Sequence, residues 1–266
     1  MKIQAQSSIW RRGLRVLGKM AFDFSENNGR PQMESNGEHW LLRQLVAAHA
    51  ASAKPGPFVV CDAGANAGGY TQAVMEEARR AGCPVEVHAF EPAPCNVEKL
   101  RAKFANDERV RIIGAALAEQ DGDAMLFGGH TGSSQASLVR RHGCSAAENE
   151  AERVAVLRLE DYVATHDLAR IDLLKLDIEG AELAALRGLG GCLRPDVVDV
   201  IQFEYGGTTL DAGATLRDLY GLLTSRGYVL AKLFPHALER RDYADWMEHY
   251  AYANYVALAP RWAASR

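Results

Sequence analysis

The chain has 266 residues, 48% hydrophobic and 24% charged, with 30 basic against 34 acidic side chains and a formal net charge of −4. That length suffices for one large buried core, and the charge balance lacks the Lys and Arg excess of a dedicated nucleic-acid binder, so a small-molecule partner is expected and nucleic acid is not. Five cysteines (Cys61, Cys83, Cys95, Cys144, Cys192) in no C-x-x-C spacing argue against a zinc site or a disulfide framework and fit a reducing, cytoplasmic setting.

Residues 1–53 read as a helical N-terminal extension, and 54–266 as one main domain. The stretch Ile9 to Leu17 is interrupted by Arg11, Arg12 and Arg15, so it has no apolar run long enough for a signal peptide or a membrane span. Two readings of it stay open: a basic amphipathic helix on a membrane surface, or a helix packed on the domain or on a partner subunit, the second being favoured. A homo-oligomer is left open with it. Glu38 to Ala53 shows helical apolar spacing, stopped by Lys54-Pro55-Gly56-Pro57.

A strand is expected at 58–62, a helix over 69–81, a strand at Val85 to Phe90, a helix over 94–105 opened by Pro92 and Pro94, and a short strand at Val110 to Ile113. The rhythm then changes. Ala115 to Glu119, Ala124 to Phe127 and Val154 to Leu159 read as strands, and the polar segment Gly128 to Glu152 as a long loop. Alternation resumes with a strand at Ile171 to Asp177, a helix over 181–189, a strand at Val197 to Glu204 and a helix over 214–225. Tyr228 to Leu233 and Asn254 to Leu258 close the series.

The first strand, Phe58 to Asp62, runs into Ala63-Gly64-Ala65-Asn66-Ala67-Gly68-Gly69-Tyr70, and the second ends on Glu91-Pro92. A Gly-rich turn between strand and helix, with an acid after the next strand, is the first βαβ unit of a nucleotide-binding α/β fold, the acid positioned for ribose hydroxyls. A dinucleotide fingerprint needs glycine where Asn66 stands, because a pyrophosphate approaches the backbone there. The pattern D-x-G-x-N-x-G with a distal acid reads instead as a site for S-adenosylmethionine. Asp62, Gly64, Asn66, Gly68, Tyr70, Glu91 and Pro92 are the expected contacts, joined by Asp177 from a later strand.

Leu174-Lys175-Leu176-Asp177-Ile178-Glu179-Gly180-Ala181-Glu182 and Ile201-Gln202-Phe203-Glu204 end two further strands. With the two earlier segments, in this order, they resemble the FkbM family of S-adenosylmethionine-dependent methyltransferases over residues 58–259. Glu34-Ser35-Asn36-Gly37-Glu38 is similar to the N-G-E element that precedes the first strand in that family. The resemblance implies a Rossmann-like class I methyltransferase fold: an α/β protein with a seven-stranded, mostly parallel sheet whose last strand is antiparallel. It also implies O-methylation of a sugar, polyketide or other secondary metabolite.

Asp177 and Glu204 are expected at the acceptor, as proton acceptor or as ligands of a divalent cation (Mg²⁺ or Mn²⁺). Lys175 is read either as catalytic or as the ion-pair partner of Asp177. Glu182 is expected to favour the helix N-terminus electrostatically, and His88 to be a satisfied core histidine. The acceptor is expected to be a hydroxyl, with a carboxylate, which needs no base, as the alternative. A nicotinamide-dependent oxidoreductase is disfavoured by Asn66 and by the lack of a Tyr-x-x-x-Lys pair. A non-catalytic S-adenosylmethionine-binding protein would need neither Asp177 nor Glu204.

Overall fold

A computed structural model describes residues 9–52, 56–129, 135–141 and 150–263. Parts of the expected 128–152 loop, namely 130–134 and 142–149 with Cys144, lie outside the described residues, as do Lys54 and Pro55. Helices α1 (Ile9–Ser25), α2 (Met33–Asn36) and α3 (Glu38–Ala51) come first. The α/β alternation follows as β1 (Phe58–Ala63), α4 (Gly69–Ala81), β2 (Val85–Phe90), α5 (Pro94–Lys103) and β3 (Val110–Ile113). Next come β4 (Ala116–Ala118), β5 (Gly122–Phe127), β6 (Ala151–Arg158), α6 (Leu159–Thr165), β7 (Ile171–Leu176), α7 (Glu182–Gly188) and β8 (Val198–Tyr205). The chain closes with α8 (Gly207–Asp211), α9 (Leu216–Ser225), β9 (Val229–Phe234), β10 (Ala237–Arg240), β11 (Ala253–Leu258) and α10 (Pro260–Ala263).

The main sheet has eight strands in the order β10-β9-β11-β8-β7-β1-β2-β3. From β3 to β9 this is the expected seven-stranded arrangement, and β11 runs antiparallel to both neighbours, β8 and β9. The addition to the expectation is β10, which folds back on β9 as an antiparallel edge strand. Its four residues, Ala237-Leu238-Glu239-Arg240, are too short and too charged to announce a strand by periodicity. The three strands expected between residues 115 and 159 are present and form a separate sheet of order β4-β6-β5.

The central strands are mainly apolar because both faces are covered. Alternation sorts them between two cores. Val60, Leu173 and Val200 pack with Leu42, Leu45 and Val46 of α3 and Val74 of α4 on one face. Cys61, Leu174, Ile201 and Phe203 pack with Leu186 and Leu219 on the other. Burial pushes the Cys61 thiol far up, so it acts as a small apolar filler. His88 is fully buried between Tyr162, 2.7 Å from its Nδ1, and Glu86, 3.1 Å from its Nε2, as a core histidine should be. Helix α1 is the exception to this packing, for it has no buried residue.

Candidate active site

Strand order reverses between β1 and β7, which lie side by side while the chain proceeds outward from each, and ligands of open α/β sheets bind above such a point. The carboxyl ends of β1, β2, β7 and β8 bring Gly64, Glu91, Asp177 and Glu204 to this edge. A cleft lies there. Its lining includes Gly64, Asn66, Glu91, Pro92, Asp177 and Ile178. Ala116 and Leu117 of β4 and Leu126 of β5 supply its apolar wall, so the small second sheet has a place in the site. A second cavity, of about 470 Å³, lies along the same Gly64–Asn66 turn and is lined also by Glu34, Glu38, His39, Tyr70 and Lys175.

Glu91 organises the first turn. Its Oε2 accepts the Asn66 N–H at 2.8 Å and its Oε1 the Ala93 N–H at 2.9 Å. Burial pushes this carboxyl up, while the two backbone N–H groups and Asn96 pull it back. A carboxylate has about four lone-pair sites, so acceptor capacity remains for a ribose beyond these three contacts. Asn66 sits at φ +50°, in the left-handed region that asparagine tolerates better than most residues.

The glycines of the turn turn out to approach protein backbone and side chains. At Gly64, φ is +82° and a Cβ would run into the Asp177 carbonyl. At Gly68, φ is +77° and a Cβ would meet Phe104 at 2.7 Å and Leu100 at 2.9 Å. Gly64 thus allows β1 and β7 to close together under the cleft, and Gly68 seats α4 against α5.

Beneath the turn lies a chain of buried charges. Lys175 Nζ donates to Asp177 Oδ2 at 2.7 Å and stands 4.9 Å from the centroid of the Tyr70 ring. Burial alone would push the Lys175 ammonium down, but Asp177, Glu38 and Asp62 hold it well above its ordinary value. Asp62 is fully buried, accepts the Thr71 hydroxyl at 2.7 Å, and is pushed up by burial. Its Oδ1 and the buried Tyr70 hydroxyl have no hydrogen-bond partner among the described residues. Glu38 accepts the side-chain amide of Gln202 at 2.5 Å and that of Asn36 at 2.9 Å, so the N-G-E element is tied to β8.

Asp177 and Glu204 form a coupled pair with opposite tendencies. Burial acts to raise Asp177, yet Lys175 and a hydrogen bond from Glu204 bring it below its usual value. Burial and the charges of Asp177 and Glu179 push Glu204 well above the carboxylate range. The two tendencies favour the proton on Glu204 and the charge on Asp177, whose side chain is 37% exposed. Lys175 is the ion-pair partner of Asp177. Among the described residues no group of three or more His, Cys, Asp or Glu is arranged to hold a metal ion.

The turn after β7 is held from two sides. Glu182 is buried and accepts the Ile178 N–H at 3.1 Å and the Gly180 N–H at 3.0 Å, capping the segment before α7. Burial pushes it up to about 7. From the β5–β6 connection, Ser137 Oγ donates to the Glu179 carbonyl at 2.6 Å and Arg141 pairs with the Glu179 carboxylate. Sequence reasoning gave no role to Glu38, Gln202, Ser137 or Arg141. The first two had a signal, Glu38 in the N-G-E element and Gln202 in the Ile201–Glu204 segment, and the other two had none.

The model of the methyltransferase FkbM domain matches residues 62–230. The chain belongs to the FkbM methyltransferase family. It is 29% identical over 211 residues to 31-O-demethyl-FK506 methyltransferase FkbM of Streptomyces tacrolimicus, covering 68% of this chain and 76% of that one. It is 26% identical over 207 residues to Methyltransferase 1 of Beauveria bassiana, covering 71% and 77%. A third relative, AMB antimetabolite synthetase AmbE of Pseudomonas aeruginosa, is 28% identical over 256 residues, 79% of this chain but 12% of that protein. Among solved structures, Methyltransferase FkbM from Methylobacillus flagellatus is similar at 16% identity and a TM-score of 0.47, over 79% of this chain and 47% of that one. This FkbM-family chain is thus an S-adenosylmethionine-dependent methyltransferase, and the site above is its candidate active site.

Proposed function

We propose that this methyltransferase acts on a hydroxyl of a small molecule, with Asp177 as the proton acceptor. The observation that carries this reading is the Lys175–Asp177–Glu204 chain at the open lip of the cleft, where Asp177 is held ionised and solvent-accessible. The residues present fit S-adenosylmethionine. Glu91 retains acceptor capacity for the ribose, and Pro92, Leu117 and Leu126 offer an apolar wall to the base. Gly64, Asn66 and the unpartnered Tyr70 hydroxyl suit the amino-acid end. When bound, S-adenosylmethionine supplies a sulfonium methyl group whose leaving thioether is neutral.

Asp177 takes the hydroxyl proton as the new carbon–oxygen bond forms. Glu204 hydrogen-bonds the other side of that carboxylate and orients it, and Lys175 stabilises its charge before the proton arrives. Positioning of the acceptor oxygen in line with the methyl group supplies much of the remaining rate. The Streptomyces relative, whose name places its reaction on an oxygen, supports a hydroxyl acceptor. No step is assigned to a divalent cation.

The test replaces shape-preserving partners. A screen of hydroxylated metabolites by mass spectrometry, scored for gain of one methyl, supplies the acceptor. Asp177→Asn and Glu204→Gln are then expected to lower turnover by about a hundred-fold or more, the loss typical of a positioned base, with S-adenosylhomocysteine affinity within a few-fold. A carboxylate acceptor, which needs no base, would instead be methylated by Asp177→Asn at near the wild-type rate.

A further inference from the structure

Of the ten large hydrophobic side chains exposed among the described residues, seven belong to one helix, α1: Ile9, Trp10, Leu14, Val16, Leu17, Met20 and Phe24. Trp10, Leu14, Leu17 and Phe24 follow one another at spacings of four, three and seven, so they share one face of an α-helix, and Met20 lies beside them. Trp10 is 84% exposed, Leu17 64% and Phe24 77%. Arg12, Arg15 and Lys19, at spacings of three and four, occupy the opposite side. Of the favoured expectation, a helix packed on the domain or on a partner subunit, the first half is not met along this face. A contiguous exposed apolar face of this kind on a soluble protein marks an interaction surface.

The helix is nonetheless fixed at its C-terminal end. Phe22 meets Trp246 and His249 edge-on, with ring centroids 6.2 and 5.3 Å apart. Just beyond, Glu26 pairs with Lys232 at 3.1 Å and with Arg241, and Asn28 accepts from Lys232 at 2.8 Å. The same chain segment continues into Met33, Glu34, Glu38 and His39 on the wall of the second cavity. A held helix that keeps its apolar face outward is a docking device.

We propose that α1 binds the surface of an anionic phospholipid bilayer, lying in the interface with Trp10, Leu14, Leu17, Met20 and Phe24 among the lipids. Charge complementarity selects this occupant. A bilayer of anionic lipids meets the cationic side with opposite charge, and an amphipathic helix rich in Arg and Lys opposite Trp, Phe and Leu is the pattern of interfacial binders. Among the described residues no helix is long and apolar enough to cross a membrane, so the contact is peripheral. The inference does not depend on the identity of the methyl acceptor.

Flotation of the full chain with vesicles tests it, using phosphatidylcholine alone and phosphatidylcholine mixed with phosphatidylglycerol. The wild type is expected to float with the mixed vesicles about ten-fold more than with phosphatidylcholine alone, and to be released by high salt. The double variant Leu14→Glu/Leu17→Glu should stay at the bottom of the gradient with an unchanged near-UV spectrum, since neither side chain reaches the core. Arg12→Glu/Arg15→Glu should lose the preference for the anionic vesicles. Wild-type protein that floats with neither vesicle overturns the proposal, as does equal, salt-insensitive binding to both. A dimer in sedimentation that Leu14→Glu/Leu17→Glu dissolves, without vesicle binding, would assign the face to a second copy instead.

Discussion

Glu91 holds the first turn and, on this account, the ribose as well, so its replacement should register in two separable measurements. Each oxygen of its carboxylate accepts one backbone N–H, from Asn66 and Ala93. Glu91→Ala removes both acceptors and orphans both donors. A hydrogen bond to a charged group contributes about 1.5–3 kcal/mol, and relief of the cost of burying the carboxylate offsets part of the two, leaving a stability loss of about 2–4 kcal/mol. Urea unfolding without ligand reads this number. On protein that remains folded, loss of the charge-assisted ribose contacts should weaken S-adenosylhomocysteine by a further 2–4 kcal/mol or so, about thirty-fold at the least. Isothermal titration reads the second number. Glu91→Gln keeps one acceptor oxygen and should fall between wild type and Glu91→Ala in both. Unchanged affinity in folded Glu91→Ala would falsify the ribose assignment even if the stability loss is as expected, leaving Glu91 a purely structural clamp.

Gly64→Val should abolish S-adenosylhomocysteine binding and also lower the melting temperature, because its Cβ meets the Asp177 carbonyl at a φ of +82°. Binding of normal affinity by this variant would show that the β1 turn is not the cofactor loop. Glu182 carries a pH signature. Its folded value is raised from 4.5 to about 7, so the folded state holds the proton more tightly and the associated stability is present below about pH 4.5 and is lost as pH rises toward 7. A shift of that size corresponds to roughly 3 kcal/mol. The stability difference between wild type and Glu182→Gln should therefore move against the wild type by roughly this amount between pH 4.5 and pH 8, and a pH-independent difference would contradict the assignment.

Most of the fold is legible in the sequence where apolar runs are bounded by Gly, Pro or Asp. The strands β1, β2, β7 and β8 fall within a residue or two of their expected limits because both faces of each are buried. The short strand β10 and helix α6 have no such signature, and β10 owes its structure to the hairpin it forms with β9. At the site, the acids at strand ends stand out because a carboxylate after an apolar run has few structural excuses. Their pairing is less visible. That Asp177 is lowered and Glu204 raised depends on the Lys175 contact and on burial, neither of which a linear pattern contains. The roles first inferred for Gly64 and Gly68 illustrate the same limit. Glycine reports a close approach, but only the structure says that the approaching atoms are those of Asp177, Leu100 and Phe104.

The central claim is that the cofactor lies across the carboxyl ends of β2, β1 and β7 with its reactive end at Asp177. A crystal structure of the protein with S-adenosylhomocysteine tests it most directly. The account predicts both ribose hydroxyls on Glu91, the base against Leu117 and Leu126, and the thioether sulfur turned toward the open side of Asp177. A complex whose ribose makes no contact with Glu91, or whose sulfur points away from Asp177, would contradict it.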